Sequence, residues 1–300
     1  MNKRLEGVGY TISAGVIFGT VGVLVRAIEG ITPLGITFFR LFIAALLYSI
    51  FLAITKRLRL VGTTLHDFRA FCLLGFFGSF HIYLFLISLT YTFIANAVLL
   101  INTAPIFVLI LSPFLIGEFI TKRDIAAVIF TFLGSALIIG IDVIHVGMTT
   151  FKGDLIALIS GFFYALYTIQ TRKLRKKYPT YMAMLWFYTF GALVLLSVKI
   201  IFGGDFITGG FRIKDTYFLG LLILFPTFVG HILYAKSLGY ISAANVSNIA
   251  LIEAVAGALF AFIIYMEFPG LWILPGIVLV LIGIALSSHD HFKNLDSSPG

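Results

Sequence analysis

The chain has 300 residues, 60% of them hydrophobic and only 11% charged, with 21 Lys and Arg against 13 Asp and Glu for a formal net charge of +8. Soluble domains carry about 25% charged residues, so a water-soluble globular domain is excluded and an integral membrane protein is read in its place. The positive balance does not point to nucleic acid, because the basic residues stand in short segments between apolar runs, as membrane-orienting charge does.

A spanning helix needs about 20 apolar residues. Ten such runs follow one another near 7–27, 33–54, 68–89, 93–116, 124–142, 153–171, 181–202, 215–236, 243–266 and 271–288. The basic start, Met1-Asn2-Lys3-Arg4, resembles a signal peptide, but no small-x-small cleavage site follows a short core, so the first run is kept as a helix. The longer connections lie around Lys56–Asp67, Lys173–Pro179 and Gly203–Asp215. The polar tail, 289–300, is expected to be disordered. The single cysteine, Cys72, excludes an intramolecular disulfide and a cysteine metal cluster.

Loop charge orients the runs. With the N-terminus inside, 15 Lys and Arg fall on the inner side and five on the outer, leaving Arg40 within the second run. This positive-inside asymmetry places both termini in the cytoplasm and the chain in the cell membrane.

The chain also repeats itself. A forward shift of 149 positions carries Ser88–Leu137 onto Ser237–Leu286 without a gap, pairing Asn96 with Asn245, Glu118 with Glu267 and Gly134 with Gly283. A shift of 146 pairs Arg26 with Arg172 and Pro33 with Pro179. Such self-similarity reads as an internal duplication. Each half has five runs, an odd number, so the second half must thread the membrane in the opposite sense. The expected fold is therefore an all-α membrane protein of ten transmembrane helices in two inverted five-helix repeats, 1–145 and 146–288. Inverted repeats are a recurrent plan of secondary transporters, with the site near the midplane where the halves meet.

Several motifs carry a family resemblance over nearly the whole chain: Gly15-x-x-Phe18-Gly19, Pro33 with Arg40-Leu41, Asn102-x-x-Pro105, Gly117-Glu118, Gly153-Asp154-x-x-Ala157 and Ile252-Glu253-Ala254-Val255. In these it resembles the EamA-type members of the drug/metabolite transporter superfamily. The chain departs from the family where Ala254 replaces a usual proline and where Met266 is the counterpart of Gly117. The resemblance implies movement of small metabolites, often outward, with amino acids and drugs among the cargo.

Glu253 stands eleventh in its run of about 24 residues, roughly 15 Å from either end at 1.5 Å per residue. The first half has Ala104 at the matching position. Ala250 and Gly257 flank Glu253 on its own helix face, which leaves room for close packing or for a ligand. A carboxyl at that depth can exchange a proton or pair with a substrate ammonium; its structural alternative is a hydrogen bond to a neighbouring helix. Arg40 either snorkels to the outer interface or lines the cavity, contacting a substrate carboxylate or Glu253. His81 and His231 occupy near-equivalent places in the third and eighth runs and are candidate relays, with helix-packing hydrogen bonds as the alternative. Asn102 precedes Pro105, whose missing N–H frees a backbone carbonyl at a depth where irregular backbone lines cavities. Asn96 and Asn245 read as caps or interhelical links, and Glu118 and Glu267 as interfacial or capping groups. Tyr83, Tyr164, Tyr167, Trp186, Tyr188 and Tyr234 are candidate cavity walls, with interfacial belts as the alternative, and Tyr83 and Tyr234 are taken into the site beside the charged groups. Gly15-x-x-x-Gly19 is a packing motif first. His289-Asp290-His291 has metal-ligand character but lies in the solvated tail.

The function expected is secondary active transport of a small molecule by alternating access, through export of amino acids or related amphiphilic compounds. A proton is the candidate coupling ion, no cofactor is needed, and a monomer or weak homodimer embedded in lipid is expected. The alternatives are a channel or facilitator without ion coupling and a nucleotide-sugar or phosphate exchanger. An intramembrane enzyme would need paired aspartates or an HExxH helix; the sequence contains neither, and Asp142, the nearest membrane aspartate, lies at a run's end.

Overall fold

The computed structural model describes residues 3–139, 150–208, 210, 212–266 and 273–289. The tail beyond 289, Asp142, Glu267, the Asp290-His291 pair and the boundary between the repeats near 145 lie outside them. Among the described residues everything regular is helical, apart from an isolated antiparallel bridge between Ile31 and Ile207.

The first run is two helices, α1 (Lys3–Phe18) and α2 (Thr20–Arg26), meeting at Gly19. α3 (Pro33–Ile54) starts where Thr32 caps it, the hydroxyl accepting from Gly35 N at 3.0 Å with Pro33 at the first helical position, which suits a residue that has no N–H to offer. A 3-10 segment over Leu58–Asp67 leads into α4 (Phe68–Ser88). The fourth run is α5 (Ile94–Ile101) and α6 (Ala104–Ile116), followed by α7 (Lys122–Ile139). In the second half come α8 (Phe151–Arg175), α9 (Thr180–Phe202) and α10 (Ile213–Leu222), the last continued by a π-helical segment, Ile223–Gly230, and α11 (His231–Ser237). The ninth run divides into α12 (Ala243–Ile249) and α13 (Ile252–Tyr265), and α14 (Ile273–His289) closes the described chain. Eight of these stretches are long and apolar enough to cross a membrane, and Ile273–Ser288 is a shorter apolar helix. α7 has 18 residues and opens on Lys122, Arg123 and Asp124.

Packing partners exchange between the halves. α4 packs on α8 and α9, while α11 and the π segment pack on α1, and the π segment on α3. The closest approaches repeat the sequence shifts atom by atom. A Cβ built on Gly15 would stand 2.9 Å from the Ala250 carbonyl oxygen, and one on Gly161 3.1 Å from that of Ile101. Gly15 and Gly161 are related by the shift of 146, and Ile101 and Ala250 by the shift of 149. At the α7–α14 crossing, a Cβ on Gly134 would meet Gly276 O and Val280 N at 2.7 Å, and one on Gly283 would meet Ala127 O at 2.6 Å and Thr131 N at 2.9 Å. The shift of 149 turns one set into the other, and the residue numbers run in opposite directions across the contact, so the two helices are antiparallel.

The breaks obey the same relation. α5 gives way to α6 at Asn102–Thr103, and α12 to α13 at Ala250–Leu251. α6 ends on Gly117 at φ 66°, and α13 on its counterpart Met266 at φ 55°. The left-handed conformation costs an L-residue roughly 1–2 kcal/mol, and the Met266 side chain is exposed. Met266→Gly is therefore expected to raise stability by up to about 1 kcal/mol, and Gly117→Ala to lower it by about as much. Thermal unfolding midpoints of the two variants check this; a loss in Met266→Gly would show that its side chain packs after all.

Candidate functional site

The π segment organises the centre. Pro226 has no N–H to give the carbonyl of Leu222, four residues back, and Thr227 takes that oxygen with its hydroxyl at 2.8 Å. The displaced register leaves two groups of Thr227 for partners on other helices. Its Oγ1 accepts from Arg40 Nε at 2.8 Å and its carbonyl accepts from the Tyr188 hydroxyl at 2.6 Å. Arg40 is only 3% exposed. It faces the bundle interior, not lipid, so snorkelling does not describe it. π-helical turns of this kind concentrate at functional sites.

His231 begins the α-helix that follows. Its Nδ1 is 3.2 Å from the Tyr167 hydroxyl, and its ring lies among Phe18, Tyr167 and Phe187 at centroid distances of 5.1, 5.8 and 5.2 Å. His81 stacks on Tyr164 at 4.3 Å with 10° between the planes. Ser160 reaches both its Nδ1 (3.3 Å) and its carbonyl oxygen (2.8 Å). Tyr234 is fully buried, 2.8 Å from Thr168 Oγ1, and its ring lies 5.8 Å from that of Tyr164.

Glu253 lies in the first turn of α13, directly after the break at Ala250–Leu251. It is half-buried, on a helix that packs against α1 and α2. Among the described residues its carboxylate makes neither a hydrogen bond nor an ion pair, so the direct Arg40–Glu253 contact entertained from sequence is not formed. The structure thus gathers Arg40, His81, His231, Tyr234 and Glu253 around one aromatic cluster, with Tyr164, Tyr167 and Tyr188 completing it.

Two sequence candidates stand apart from that cluster. Tyr83 is half-buried at the edge of the core, with Tyr91 as its electrostatic neighbour. Asn102 is 2% exposed in the break between α5 and α6, and its Nδ2 has no partner. Trp186 donates from Nε1 to Thr64 of the 3-10 segment at 2.8 Å. Asn96 donates to Asp154 at 3.0 Å and so joins α5 to α8. Glu118 pairs with Arg172 at 2.7 Å and accepts from Ala243 N at 2.9 Å, capping α12. A cavity of about 440 Å³ between α6 and α7 is lined by residues such as Ile110, Ile129 and Leu133. It is apolar and does not touch Glu253.

Sequence reasoning missed Thr227, Ser160 and Thr168, which supply hydrogen bonds to Arg40, Tyr188, His81 and Tyr234. The Pro226-Thr227 pair inside an apolar run was the available signal for the first. It also missed what closes the two ends of the bundle. At one end Asp67 accepts from Lys177 and from the Tyr178 hydroxyl; these hydrogen bonds, Lys177 first, hold its carboxyl below the usual carboxylate value. That contact is present at neutral pH and is lost only as pH falls through the depressed value. At the other end, buried Asp215 accepts from Glu29 N and Gly30 N.

The model of the EamA-like transporter family matches residues 5–140 and again 151–289. The chain belongs to the EamA-like transporter family. This EamA-like transporter is 27% identical over 277 residues to a protein of Archaeoglobus fulgidus named as an uncharacterised transporter, covering 92% of this chain and 94% of that one. A similarly named protein of Clostridium kluyveri is 25% identical over 245 residues, covering 80% and 78%. A crystal structure 14% identical to the transporter shares its fold, with a TM-score of 0.79 over 94% of this chain and 96% of the other. The two family matches fall on the two halves of the duplication, and the chain is a multi-pass membrane transporter.

Proposed function

We propose that this EamA-like protein is a secondary transporter that carries a small metabolite across the cell membrane by alternating access, with export as its net direction. The observation that carries the reading is the central cluster. α3 and α4 of the first half and α8, α9, α11 and α13 of the second each supply a polar or charged side chain to it. Ten transmembrane helices in two inverted repeats form the scaffold, with both termini cytoplasmic. The self-mapping contacts at Gly134 and Gly283, and at Gly15 and Gly161, support that symmetry. Two halves related in this way can rock about a fixed midplane site.

Amino acids or related amphiphilic compounds are the proposed cargo. Glu253, without a partner of its own, holds either a proton or a substrate, and that exclusion couples the two flows. The test is uptake by the purified protein in proteoliposomes with an imposed proton gradient. Accumulation that follows the gradient and collapses with a protonophore is expected. Uptake indifferent to the gradient would make the protein a facilitator. Reporter fusions after Lys56 and Lys176 should read as cytoplasmic and one near Gly204 as external; the reverse would overturn the orientation.

A further inference from the structure

On the alternating-access reading, we propose that Arg172 and Glu118 form the lock of the gate at the end of the molecule where α1 begins, and that Arg26 serves the gate at the opposite end. The structure stands with the first gate shut. That end also holds the end of α14, since Arg4 donates to Ser287 O at 3.3 Å. Arg172, in the last turn of α8, donates from Nε to Glu118 Oε1 at 2.7 Å, and Glu118 follows the end of α6. Each then uses a second atom on the turn between α11 and α12. Arg172 Nη1 donates to Leu238 O at 2.7 Å, and Glu118 Oε2 accepts from Ala243 N at 2.9 Å. The turn is thus held at both of its ends through backbone groups. The two side chains are only 16% and 9% exposed. An ion pair covered to that degree is screened little by salt and is not of the weak, exposed kind.

The duplication marks this contact as a gate. The shift of 146 carries α1 and α2 onto α8, and Arg26 onto Arg172. The shift of 149 carries α5 onto α12, α6 onto α13 and Leu89 onto Leu238. Packing joins these helices into two bodies, α5 and α6 on α8, and α12 and α13 on α1. The contacts inside one body are the images of those inside the other, and both sets are formed, as the close approaches of Gly161 and Gly15 show. The corner ties at Asp67 and Asp215 are likewise formed at both ends. Between the bodies the symmetry fails. α6 and α8 pack on α12 beside the Arg172–Glu118 pair, whereas among the described residues their images, α13 and α1–α2, are not packed on α5. The Arg26 guanidinium lies over the Tyr265 ring of α13 at 4.6 Å, within its own body. A structure that keeps its internal symmetry within each body and breaks it only between them is one of two exchangeable states. In the other state Leu238 and Ala243 leave Arg172 and Glu118, and the turn that carries Leu89 closes on Arg26.

The test uses the full-length protein in lipid nanodiscs, with Cys72→Ser so that spin labels can be placed in pairs. One pair, at Leu5 and Lys173, spans the bodies at the locked end; the other, at Gly22 and Ile94, spans them at the opposite end, and all four positions are exposed. Distances are read by pulsed electron resonance, with the melting midpoint of each variant as the folding control. Arg172→Gln and Glu118→Gln should each lengthen the first distance and shorten the second. The ratio of molecules open at the locked end should rise at least about fivefold, the lower end of ordinary conformational coupling. Arg172→Lys should act partway, because it keeps the charge and loses the fork. Arg26→Gln should act in the reverse sense and deplete the second state. A merely structural ion pair would lower the melting midpoint and move neither distance. If the parent shows both states in reciprocal proportion at the two ends and the variants leave that proportion unchanged, the lock assignment is overturned while alternating access stands. If each pair gives one fixed distance in the parent and in every variant, alternating access falls with the lock. Should Arg172→Gln fail to fold, Arg172→Lys, Glu118→Gln and Arg26→Gln decide the same question.

Discussion

Replacing Glu253 by Gln should cut gradient-driven uptake on the order of a hundredfold while leaving the protein as stable as the parent or more so. The two halves of that expectation come from one observation. Among the described residues the carboxylate has no hydrogen bond or ion pair to lose, and Gln keeps its shape. A charged side chain at membrane depth costs about 2.5–3.5 kcal/mol on insertion scales, a cost the amide escapes. Transport needs the group in two states, one holding a proton and the other a substrate, and an amide has only one. Uptake in proteoliposomes over a pH series, run beside melting curves, separates the possibilities. Parent-level, pH-dependent uptake by a well-folded Glu253→Gln would remove the residue from the mechanism and leave His81 and His231 as the next titratable groups. A large loss of melting temperature would instead mean that Glu253 holds helices together.

That the chain is helical and spans a membrane was legible in the sequence because membrane spanning imposes a length and a hydropathy that survive any packing arrangement. The duplication was legible through Asn, Glu and Gly, residue types that rarely recur by chance in apolar sequence. It went further than identity: Met266 adopts the left-handed conformation of Gly117 although the residue changed, so the backbone kept what the sequence had lost. The broken ninth run is a similar case. Ala254 replaces the family's proline, yet the helix divides at Ala250–Leu251, where the opposing Gly15 comes within contact of the Ala250 carbonyl.

The details of the site were less legible, and for a physical reason. In a helix apolar all round, periodicity does not tell the lipid face from the bundle face. Tyr83 and Tyr234 looked alike in sequence; one sits half-buried at the core's edge and the other is fully enclosed. Trp186 and Tyr188 are two positions apart on α9, a spacing that places them on different faces, and one is tied to the 3-10 segment while the other meets Thr227. The π register at Pro226 decides where Arg40 is held, and no spacing rule for α-helices anticipates it.

The largest stability effect is expected at Asp215, a residue that no motif or spacing singles out. Its carboxylate is fully buried at the start of α10, where Oδ1 accepts from Glu29 N at 3.0 Å and Oδ2 from Gly30 N at 3.2 Å. These are the backbone donors of the turn between α2 and α3, so one side chain ties the first half's corner to the second half's eighth run. The same corner is bound by Thr32 N to Phe206 O at 3.1 Å and by Thr208 N to Gly30 O at 2.9 Å. A carboxylate also suits the first turn of a helix, where the dipole is positive. Asp215→Asn keeps one acceptor and turns an NH2 against an N–H, leaving a buried donor unpaired at about 1–3 kcal/mol. Asp215→Ala strands both donors and should cost about twice that. Glu29, by contrast, pairs through its side chain with Arg212 and Lys214 at the exposed rim, and Glu29→Gln should cost under about 1 kcal/mol. Unfolding midpoints in one detergent should therefore fall in the order Glu29→Gln, Asp215→Asn, Asp215→Ala, from smallest loss to largest. If Asp215→Ala melts no lower than Glu29→Gln, the corner is held by its backbone pairing alone and the carboxylate is not its anchor.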